Sequence, residues 1–454
     1  MVRTVLPDKR RPCAMRLPWV DPERAYLALF AEADASFWLD TATGIGHSFL
    51  GACAFDEVLL VDGTGDLSRA LAQLETEVGV DRALGWYGWI SYEASLVAPP
   101  TVLPNVRDPP TLALLRGDPV LEFDHTHRTL YLISADLAGE EASRLAHAVM
   151  ALANSRDEST QPAAPEPALG VSWRHDAEQY GALIERCQAA IRAGEAYQLC
   201  LTNEVLVTGC FDPVEAYRRL RRSSPSHHGG LIRVGEHALA SASPERFLTV
   251  DADGKIATHP IKGTRARGLT PEQDAALRAE LLCSVKERAE NVMIVDLMRN
   301  DLARIAVPAS VAVERLLEVE SYPQVHQLVS EVSARRAPGV GVAELLAATF
   351  PAGSMTGAPK RRARELLGEW EAGTRGIYSG AFGRFGSDGS LDLAVTIRTL
   401  VLERSCARLG TGGGITALSV AEEEIEETRL KARALLAVLG IAEDDGRVCP
   451  TPGQ

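Results

Sequence analysis

The chain has 454 residues, of which 46% are hydrophobic and 24% charged, as is ordinary for a globular protein with two or three domains or one large composite domain. Its formal net charge of −14 argues against nucleic acid as a partner. Eight cysteines without a C-x-x-C pair fit neither a disulfide framework nor a structural zinc site, which favours a reducing compartment. Because no apolar run resembles a signal peptide or reaches the length of a membrane span, we expect a cytoplasmic protein without a membrane partner.

The predicted elements mix strands and helices without a regular alternation. In the first part of the chain, a helix is predicted at residues 67–78 between two strands, at 57–61 and 130–134. The second part has predicted helices at 176–193, 271–306 and 420–439, and strands at 200–208, 230–234, 247–250, 380–385 and 391–402. This order favours a mixed α+β architecture with antiparallel sheets.

A stretch rich in proline, alanine and charge, at residues 154–170, separates these two parts. We interpret it as a linker or long surface loop between an N-terminal region at 15–153 and a larger region at 171–442. The same composition is typical of a linker between domains and of a loop within one domain, so the pattern leaves both organisations open.

Lys262 lies in the apolar, glycine-bounded segment Pro260-Ile261-Lys262-Gly263-Thr264. A poorly solvated lysine can have a lowered pKa and can expose a nucleophilic free amine. The alternative is a lysine in a surface turn, and the pentapeptide alone favours that alternative.

Two pairs of carboxylates have helical spacing. Glu287 and Glu290 are three residues apart, as are Glu424 and Glu427, so each pair lies on one face of its helix. If the two helices face each other, the four carboxylates form an oxygen-rich site suited to magnesium. The alternative is two solvated acidic helix faces.

Two glycine-rich segments are candidate anion sites. Residues 350–360 contain Ser354 and lead into a basic helix at 360–367, whose N-terminal amides can bind an anion, although the P-loop spacing is absent. Gly412, Gly413 and Gly414 either allow the backbone to approach a ligand carboxylate closely or form a flexible turn.

Two polar side chains stand within apolar surroundings. Arg398 lies in a predicted strand, where a half-buried arginine needs a carboxylate, either internal or from a substrate. His326 is also set among apolar residues, where a histidine is more often a core residue than a catalyst.

Together these segments resemble the chorismate-utilising enzymes, which include anthranilate synthase component I, aminodeoxychorismate synthase component I, isochorismate synthase and salicylate synthase. The resemblance runs from about residue 176 to about 439, through SPERF (243–247), PIKGTRARG (260–268), ENVMIVDLMRNDLARI (290–305), FPAGSMTGAPK (350–360), GIYSGAFG (376–383) and EETRLKA (426–432). GWYGWISYE (85–93) is similar to the family's N-terminal segment. The resemblance implies a composite α+β domain in which two large antiparallel sheets pack face to face with helices outside.

Within this family, two positions indicate the reaction. Gln198 stands where water-using members have a lysine base, which implies ammonia as the final nucleophile. Lys262 resembles aminodeoxychorismate synthase component I, because anthranilate synthases carry alanine there, and Ser354 favours the same branch. The resemblance thus implies conversion of chorismate to 4-amino-4-deoxychorismate in p-aminobenzoate and folate biosynthesis. The alternatives are an anthranilate synthase component I and a non-catalytic subunit of the same fold.

The resemblance also implies roles for individual residues. Lys262 would form a covalent intermediate, Glu245 would act as general acid and base, and His326 would assist the departing hydroxyl. Magnesium would be held by Glu287, Glu290, Glu424 and Glu427. Chorismate would be bound by Thr264, Ser354, Tyr378, Arg398, Gly412, Gly413, Gly414 and Lys431. Because none of the eight cysteines lies in a glycine-flanked nucleophile motif, ammonia is expected from a separate glutamine amidotransferase subunit.

Overall fold

The computed structural model describes residues 7–8, 11–63, 66–74, 79, 81–94, 109–156, 161–322 and 325–441. The first part of the chain forms β1 (Pro7–Asp8), β2 (Arg11–Leu17), α1 (Pro22–Leu29), β3 (Ala35–Asp40), β4 (His47–Ala52), β5 (Val58–Val61), α2 (Leu67–Gln73), β6 (Gly85–Ile90), β7 (Leu112–Gly117), β8 (Val120–Asp124), β9 (Thr129–Ile133) and α3 (Glu140–Asn154).

The second part begins with β10 (Gly170–Trp173), α4 (Ala177–Arg192), β11 (Gln198–Thr208), α5 (Pro213–Ser223), β12 (His228–Val234), β13 (His237–Ser243), β14 (Arg246–Val250), β15 (Lys255–Thr258), β16 (Ile261–Ala266), α6 (Pro271–Cys283) and α7 (Val285–Ala303). It continues with β17 (Ala312–Ser321), β18 (Val325–Arg335), α8 (Val342–Thr349), β19 (Gly357–Ala358), α9 (Lys360–Trp370), β20 (Ala381–Gly386), β21 (Leu391–Val395), β22 (Thr399–Glu403), β23 (Cys406–Ile415) and α10 (Ala421–Val438).

The strands form two antiparallel sheets, and each part of the chain contributes to both. Within the described residues, the thirteen-stranded sheet has the order β1-β2-β9-β8-β4-β3-β12-β13-β22-β23-β11-β10, with β19 beside β11. The ten-stranded sheet has the order β16-β18-β15-β14-β21-β20-β6-β7-β5, with β17 beside β18. The two parts join where β3 pairs with β12 and where β6 pairs with β20. The segment after α3 therefore connects elements that share both sheets.

The two sheets pack face to face, with helices on their outer faces. Phe37 of β3 and Tyr87 of β6 are both buried, and their rings stack with centroids 3.9 Å apart between the sheets. Helices α1, α3, α5 and α10 cover the larger sheet, and α2, α7 and α8 cover the smaller one. Burial of a large side chain in such a layer contributes roughly 1.5–3 kcal/mol. The predicted composite α+β fold is confirmed.

Two predicted elements are each divided in the structure. The helix expected at 271–306 is α6 followed by α7, and Ser284 between them accepts a hydrogen bond from the backbone N–H of Glu287 as the N-cap of α7. The strand expected at 391–402 is β21 followed by β22. Arg398 interrupts it with a φ of 49°, a left-handed conformation that breaks the regular extended backbone of a strand.

The predicted linker at 154–170 follows the surface of α5 in its described part. The backbone carbonyl of Ala163 accepts a hydrogen bond of 2.6 Å from the Arg219 guanidinium. The backbone N–H of Ala163 donates one of 2.6 Å to the Glu215 carboxylate. The predicted helix at 67–78 ends at Gln73, and residues 75–78 lie outside the described part of the chain. A search of the described helices finds none with the length and apolar character needed to cross a membrane.

Candidate active site

One cavity of about 990 Å³ brings the predicted site residues together. Its wall comes from α7, α10, β16 and β23, from the turns that follow β13, α8, α9 and β21, and from a few residues of β11, β18 and α5. Every site residue predicted from the sequence lines this cavity except His326: Glu245, Lys262, Thr264, Glu287, Glu290, Ser354, Tyr378, Arg398, Gly412, Gly413, Gly414, Glu424, Glu427 and Lys431.

Lys262 lies in β16, half-buried, and points its charge into an acidic environment. Burial alone would lower the pKa of this lysine, but the neighbouring acidic groups, Cys200 first and then Glu290 and Glu245, raise it above the usual range. The lowered pKa that the sequence made possible is therefore absent, because the acidic groups outweigh the effect of burial. Near neutral pH the resting state of Lys262 is the ammonium ion, which must lose a proton before it can act as a nucleophile.

Glu245 is a buried carboxyl in the same cavity, and its environment suits proton transfer. Burial raises its pKa to about 6, although the positive charge of Lys262 opposes that rise. The hydroxyl of Ser354 and the backbone of Ile261 interact with this carboxyl and also oppose the rise in its pKa. Glu245 and Ser354 are both buried in the cavity wall, so both groups are suited to a bound polar ligand.

The four carboxylates predicted to bind a metal all line the cavity, but they differ in their burial, in their ion-pair partners and in their pKa values. Glu290 is buried, its Oε1 lacks a partner among the described residues, and burial raises its pKa to about 7. Glu424 accepts from Lys286 at 3.1 Å. Glu427 pairs with Lys431 at 2.6 Å; its pKa is lowered because the lysine charges around it outweigh the effect of burial. The fourth, Glu287, lies 3.5 Å from the Arg265 guanidinium.

The glycine run at 412–414 lies within β23, near its C-terminal end, so the interpretation as a flexible turn is wrong. Each glycine pairs with β11, whereas β22 pairs with β23 only as far as Leu409. A β-carbon on Gly413 would lie 3.1 Å from Glu424 Oε2, and one on Gly414 would lie 2.1 Å from Gln198 Nε2 and 3.6 Å from Glu290 Oε2. The carboxylates of Glu290 on α7 and Glu424 on α10 therefore both lie close to the backbone of this glycine run, where no side chain intervenes.

This region fits a magnesium ion in the chemistry of its donors. Carboxylate oxygens are the ligands that Mg²⁺ prefers, Glu290 Oε1 is an acceptor without a partner among the described residues, and Gly413 leaves space that a β-carbon would fill. In the described part of the chain, no three acidic, histidine or cysteine side chains are grouped closely enough to hold a metal ion. Glu424 and Glu427 pair instead with Lys286 and Lys431.

Arg398 and Tyr378 suit the recognition of an anion. The Arg398 side chain makes no hydrogen bond or ion pair with any described residue, and burial lowers its pKa without a carboxylate to oppose that effect. Burial also raises the pKa of Tyr378, which keeps its phenol neutral and able to donate. A guanidinium without an internal partner is a binding site for a ligand carboxylate.

The other two predicted substrate-binding side chains differ from Arg398. Lys431 already forms an ion pair with Glu427 and donates a hydrogen bond to the carbonyl of Gly412 at 2.8 Å. Thr264 lies exposed at the edge of the cavity.

His326 does not line the cavity, contrary to the prediction. Its Nε2 lies 2.9 Å from Asp274 Oδ1 on α6, and its Nδ1 lies 2.8 Å from the hydroxyl of Ser321 on β17. Gln327, the next residue of β18, lines the cavity instead. Neighbouring side chains of a strand point to opposite faces of the sheet. Because the side chain of Gln327 faces the cavity, the side chain of His326 faces away from it.

Cys200 and Lys286 are among the cavity residues that the sequence analysis did not assign to the site. Cys200 is buried, and burial raises its pKa, so it presents a neutral thiol. It lies two residues after Gln198 on β11, and the alternation of a strand could have identified it. Lys286 lies four residues before Glu290 on α7, and helical spacing could have identified it as a cation beside the carboxylates.

Comparison with known proteins identifies the family of the chain. The model of the chorismate binding enzyme family matches residues 36–437. An aminodeoxychorismate synthase from Streptomyces griseus is 39% identical over 97% of this chain and 66% of its own length. Aminodeoxychorismate synthase component 1 from Klebsiella aerogenes is 40% identical over 72% of this chain and 70% of that protein, and anthranilate synthase component 1 from Thermus thermophilus is 36% identical over 93% and 96%.

A solved structure, anthranilate synthase component I from Streptococcus pneumoniae, superposes with a TM-score of 0.72 and 26% identity over 96% of this chain and 99% of that one. The chain spans just under two thirds of the length of the Streptomyces relatives that it matches, 66% for S. griseus and 64% for S. pristinaespiralis. The family model nevertheless covers nearly all of the described chain, including the whole cavity. The chain therefore belongs to the chorismate binding enzyme family.

Proposed function

We propose that the chain acts as aminodeoxychorismate synthase component I, which converts chorismate and ammonia into 4-amino-4-deoxychorismate and water. The observation that carries this proposal is Lys262, an amine that enters the cavity beside Glu245 and Glu290. The names of the Streptomyces and Klebsiella relatives support the same reaction. The product would serve p-aminobenzoate and folate biosynthesis in the cytoplasm.

In the first step, the deprotonated amine of Lys262 attacks ring carbon 2 of chorismate. The two ring double bonds shift, and the bond between carbon 4 and its hydroxyl oxygen breaks. Glu245, whose pKa is about 6, gives a proton to the departing hydroxyl to form water and takes one from the newly bonded Lys262 nitrogen. The proton count of Glu245 is therefore unchanged over the step.

In the second step, ammonia attacks carbon 4, the double bonds shift back, and the bond to Lys262 breaks. The lysine leaves as a free amine, and the proton lost by the incoming nitrogen returns to it. Gln198 has no basic nitrogen with which to activate water, which favours ammonia as the nucleophile. His326 is held by Asp274 outside the cavity, so this proposal gives it no direct part.

The substrate carboxylates would be held at two ends of the cavity. Arg398 and the phenol of Tyr378 would bind the enolpyruvyl carboxylate, with the backbone of Gly412–Gly414 beside it. The ring carboxylate would lie near Glu290 and Glu427, which would hold Mg²⁺ together with Glu287 and Glu424. When bound there, Mg²⁺ would offset the negative charge that repels an anionic substrate and that raises the pKa of Lys262.

Ammonia would come from a separate glutamine amidotransferase subunit, as the designation component 1 of the Klebsiella relative suggests. The test of the reaction does not need that subunit, because excess ammonium at mildly alkaline pH supplies free ammonia. The chain would be incubated with chorismate, Mg²⁺ and ammonium, and the products separated by liquid chromatography with mass detection.

An aminated product that keeps the enolpyruvyl group, without pyruvate release, is the expected result. Anthranilate together with pyruvate would instead identify an anthranilate synthase component I, the activity named for the Thermus relative. Absence of turnover with both ammonium and Mg²⁺ would contradict the proposal and favour a non-catalytic subunit.

A further inference from the structure

The motif GWYGWISYE at 85–93 has no role in the proposed chemistry, because none of its residues lines the chorismate cavity. Most of it forms β6, inside the smaller sheet. Its last two residues, Tyr92 and Glu93, continue beyond the strand and contact the segment that leads to Tyr378. This contact joins the N-terminal part of the chain to the catalytic part.

Glu93 holds the start of that segment through its backbone. Its Oε1 accepts the N–H of Arg375 at 2.6 Å, and its Oε2 accepts the N–H of Gly376 at 3.0 Å. The N–H of Tyr92 donates to the carbonyl of Gly376 at 2.8 Å. Gly376 has a φ of 61°, so the chain turns tightly here, and two residues later Tyr378 enters the cavity.

Arg375 supports the cavity wall from outside. Its guanidinium donates to the carbonyl of Met355 at 2.6 Å and to that of Cys200 at 2.8 Å. It also binds Glu371 through two hydrogen bonds, of 2.8 and 2.7 Å, and lies 4.3 Å from the ring centre of Tyr92. Met355 and Cys200 both line the cavity, whereas Arg375 does not.

The side chains of the wall are packed, since Cys200, Met355 and Tyr378 belong to one buried hydrophobic cluster. A second cavity of about 1290 Å³ lies on the far side, bordered by Tyr92, Glu93, Glu371 and Arg375. Because that side faces a cavity, the hydrogen bonds of the Arg375 guanidinium and the Glu93 carboxylate fix the backbone of the wall there.

We infer that Glu93 and Arg375 are positioning residues for the proposed amination. They hold Tyr378, and the turn that contains Ser354 and Met355, at a fixed distance from Lys262 without touching the substrate. The kinetic part of this inference rests on the proposed function, whereas the positioning of Tyr378 does not. Misplacement of reacting groups by about 1 Å can cost about a hundredfold in rate.

The test compares Arg375→Ala and Glu93→Gln with Arg218→Ala. Arg218 is a matched control because it is equally buried and ion-paired, to Glu23 at 2.8 Å and Glu215 at 2.6 Å, but lies on α5 outside the cavity. We expect all three variants to lose thermal stability. Only the first two should lose about a hundredfold in kcat/KM with ammonium, and millimolar guanidinium should restore part of the rate of Arg375→Ala.

A second measurement separates positioning from the reaction itself. The ring of Tyr378 would be observed by fluorine NMR of protein labelled with 3-fluorotyrosine, and Tyr378→Phe would assign its resonance. The resonance should move in Glu93→Gln, which retains one acceptor oxygen, and in Arg375→Ala, but not in Arg218→Ala. A moved resonance in a protein without turnover would support positioning and refute the proposed function. Unchanged kcat/KM and an unchanged resonance in both variants would overturn the inference.

Discussion

Lys262 and Glu290 share one cavity, and each alters the ionisation of the other. Burial alone would lower the pKa of Lys262, but Glu290 and the other acidic groups raise it. Burial raises the pKa of Glu290 to about 7 even though Lys262 opposes that rise. The cavity thus holds an ammonium ion beside a carboxyl that is half protonated at neutral pH. This pair is costly to bury and is suited to binding a polar ligand.

Replacement of Lys262 by alanine should abolish amination almost completely, because no other amine of the cavity would occupy the position of the nucleophile. The rate of product formation with excess ammonium measures this loss. When the wild-type protein is incubated with chorismate but without ammonia, intact-protein mass spectrometry should detect a covalent adduct. The added mass should equal that of chorismate less one water molecule.

The control for this prediction is Lys255→Ala, which replaces an exposed lysine outside the cavity on β15, the strand that precedes β16 in the chain. This variant should keep the wild-type rate and the wild-type adduct. Full ammonia-dependent activity in Lys262→Ala would discard the covalent intermediate.

Replacement of Glu290 by glutamine should stabilise the magnesium-free protein at pH 8 but not at pH 4. The carboxyl ionises near its ordinary value of 4.5 in the unfolded chain and near 7 in the folded one. Between these values the folded state holds the proton that the unfolded state has lost. The free energy of unfolding therefore falls as pH rises from about 4.5 to about 7, and Glu290→Gln removes this loss, which amounts to about 1–3 kcal/mol.

Urea denaturation of both proteins at pH 4 and pH 8 measures this difference. The two curves should coincide at pH 4, where the carboxyl is protonated in both states. An equal gain at both pH values would mean that the packing of the amide, and not the ionisation of Glu290, accounts for the effect.

Magnesium should raise the melting temperature of the wild-type protein, because a ligand that binds only the folded state stabilises it by mass action. Glu290→Gln and Glu427→Gln should each lose this increase. Asp296→Asn provides a control on α7, since Asp296 is exposed and pairs with Arg299 away from the cavity. An undiminished increase in both glutamate variants would remove these residues as metal ligands.

Alanine should have different effects at two adjacent glycines of β23. A β-carbon at Gly412 would lie 2.3 Å from the carbonyl oxygen of Leu201, and rigid backbone cannot move aside. Gly412→Ala should therefore lose about 1–3 kcal/mol of folding stability, or more. At Gly413 the nearest atom is Glu424 Oε2 at 3.1 Å, so Gly413→Ala should fold normally and lose the stabilisation by magnesium. Melting curves with and without magnesium distinguish these outcomes, and similar melting temperatures of the two variants would contradict this account.

Most residues of the cavity were identified through the resemblance of their segments to a known family, because local pattern left several of them open. Helical spacing placed Glu287 and Glu290 on one face but allowed a solvated acidic surface, and the pentapeptide around Lys262 alone favoured a lysine in a surface turn. The catalytic role of His326 came from the resemblance alone. Its apolar context favoured a core histidine, and the structure places it buried between Asp274 and Ser321, on the strand face opposite that of Gln327. The strand position of Gly412–Gly414 was also missed, since the pairing of β23 with β11 is a contact between distant residues.

The contact between Glu93 and Arg375 could not have been predicted from local pattern. The two residues are 282 positions apart, and each alone resembles an ordinary charged residue near the end of an element. Only the topology, which places β6 beside β20, brings them together. Interactions between remote backbone and side-chain groups of this kind require the three-dimensional structure.

Both sheets contain strands from the N-terminal and the C-terminal part of the chain, and this arrangement affects proteolysis and unfolding. A protease cut between α3 and β10 would leave two fragments, neither of which contains all the strands of either sheet. Each fragment would expose sheet edges, at β3 and β6 in one and at β12 and β20 in the other, that readily pair with other chains. The nicked protein should therefore stay associated and lose its structure in one cooperative transition, and the separated fragments should aggregate.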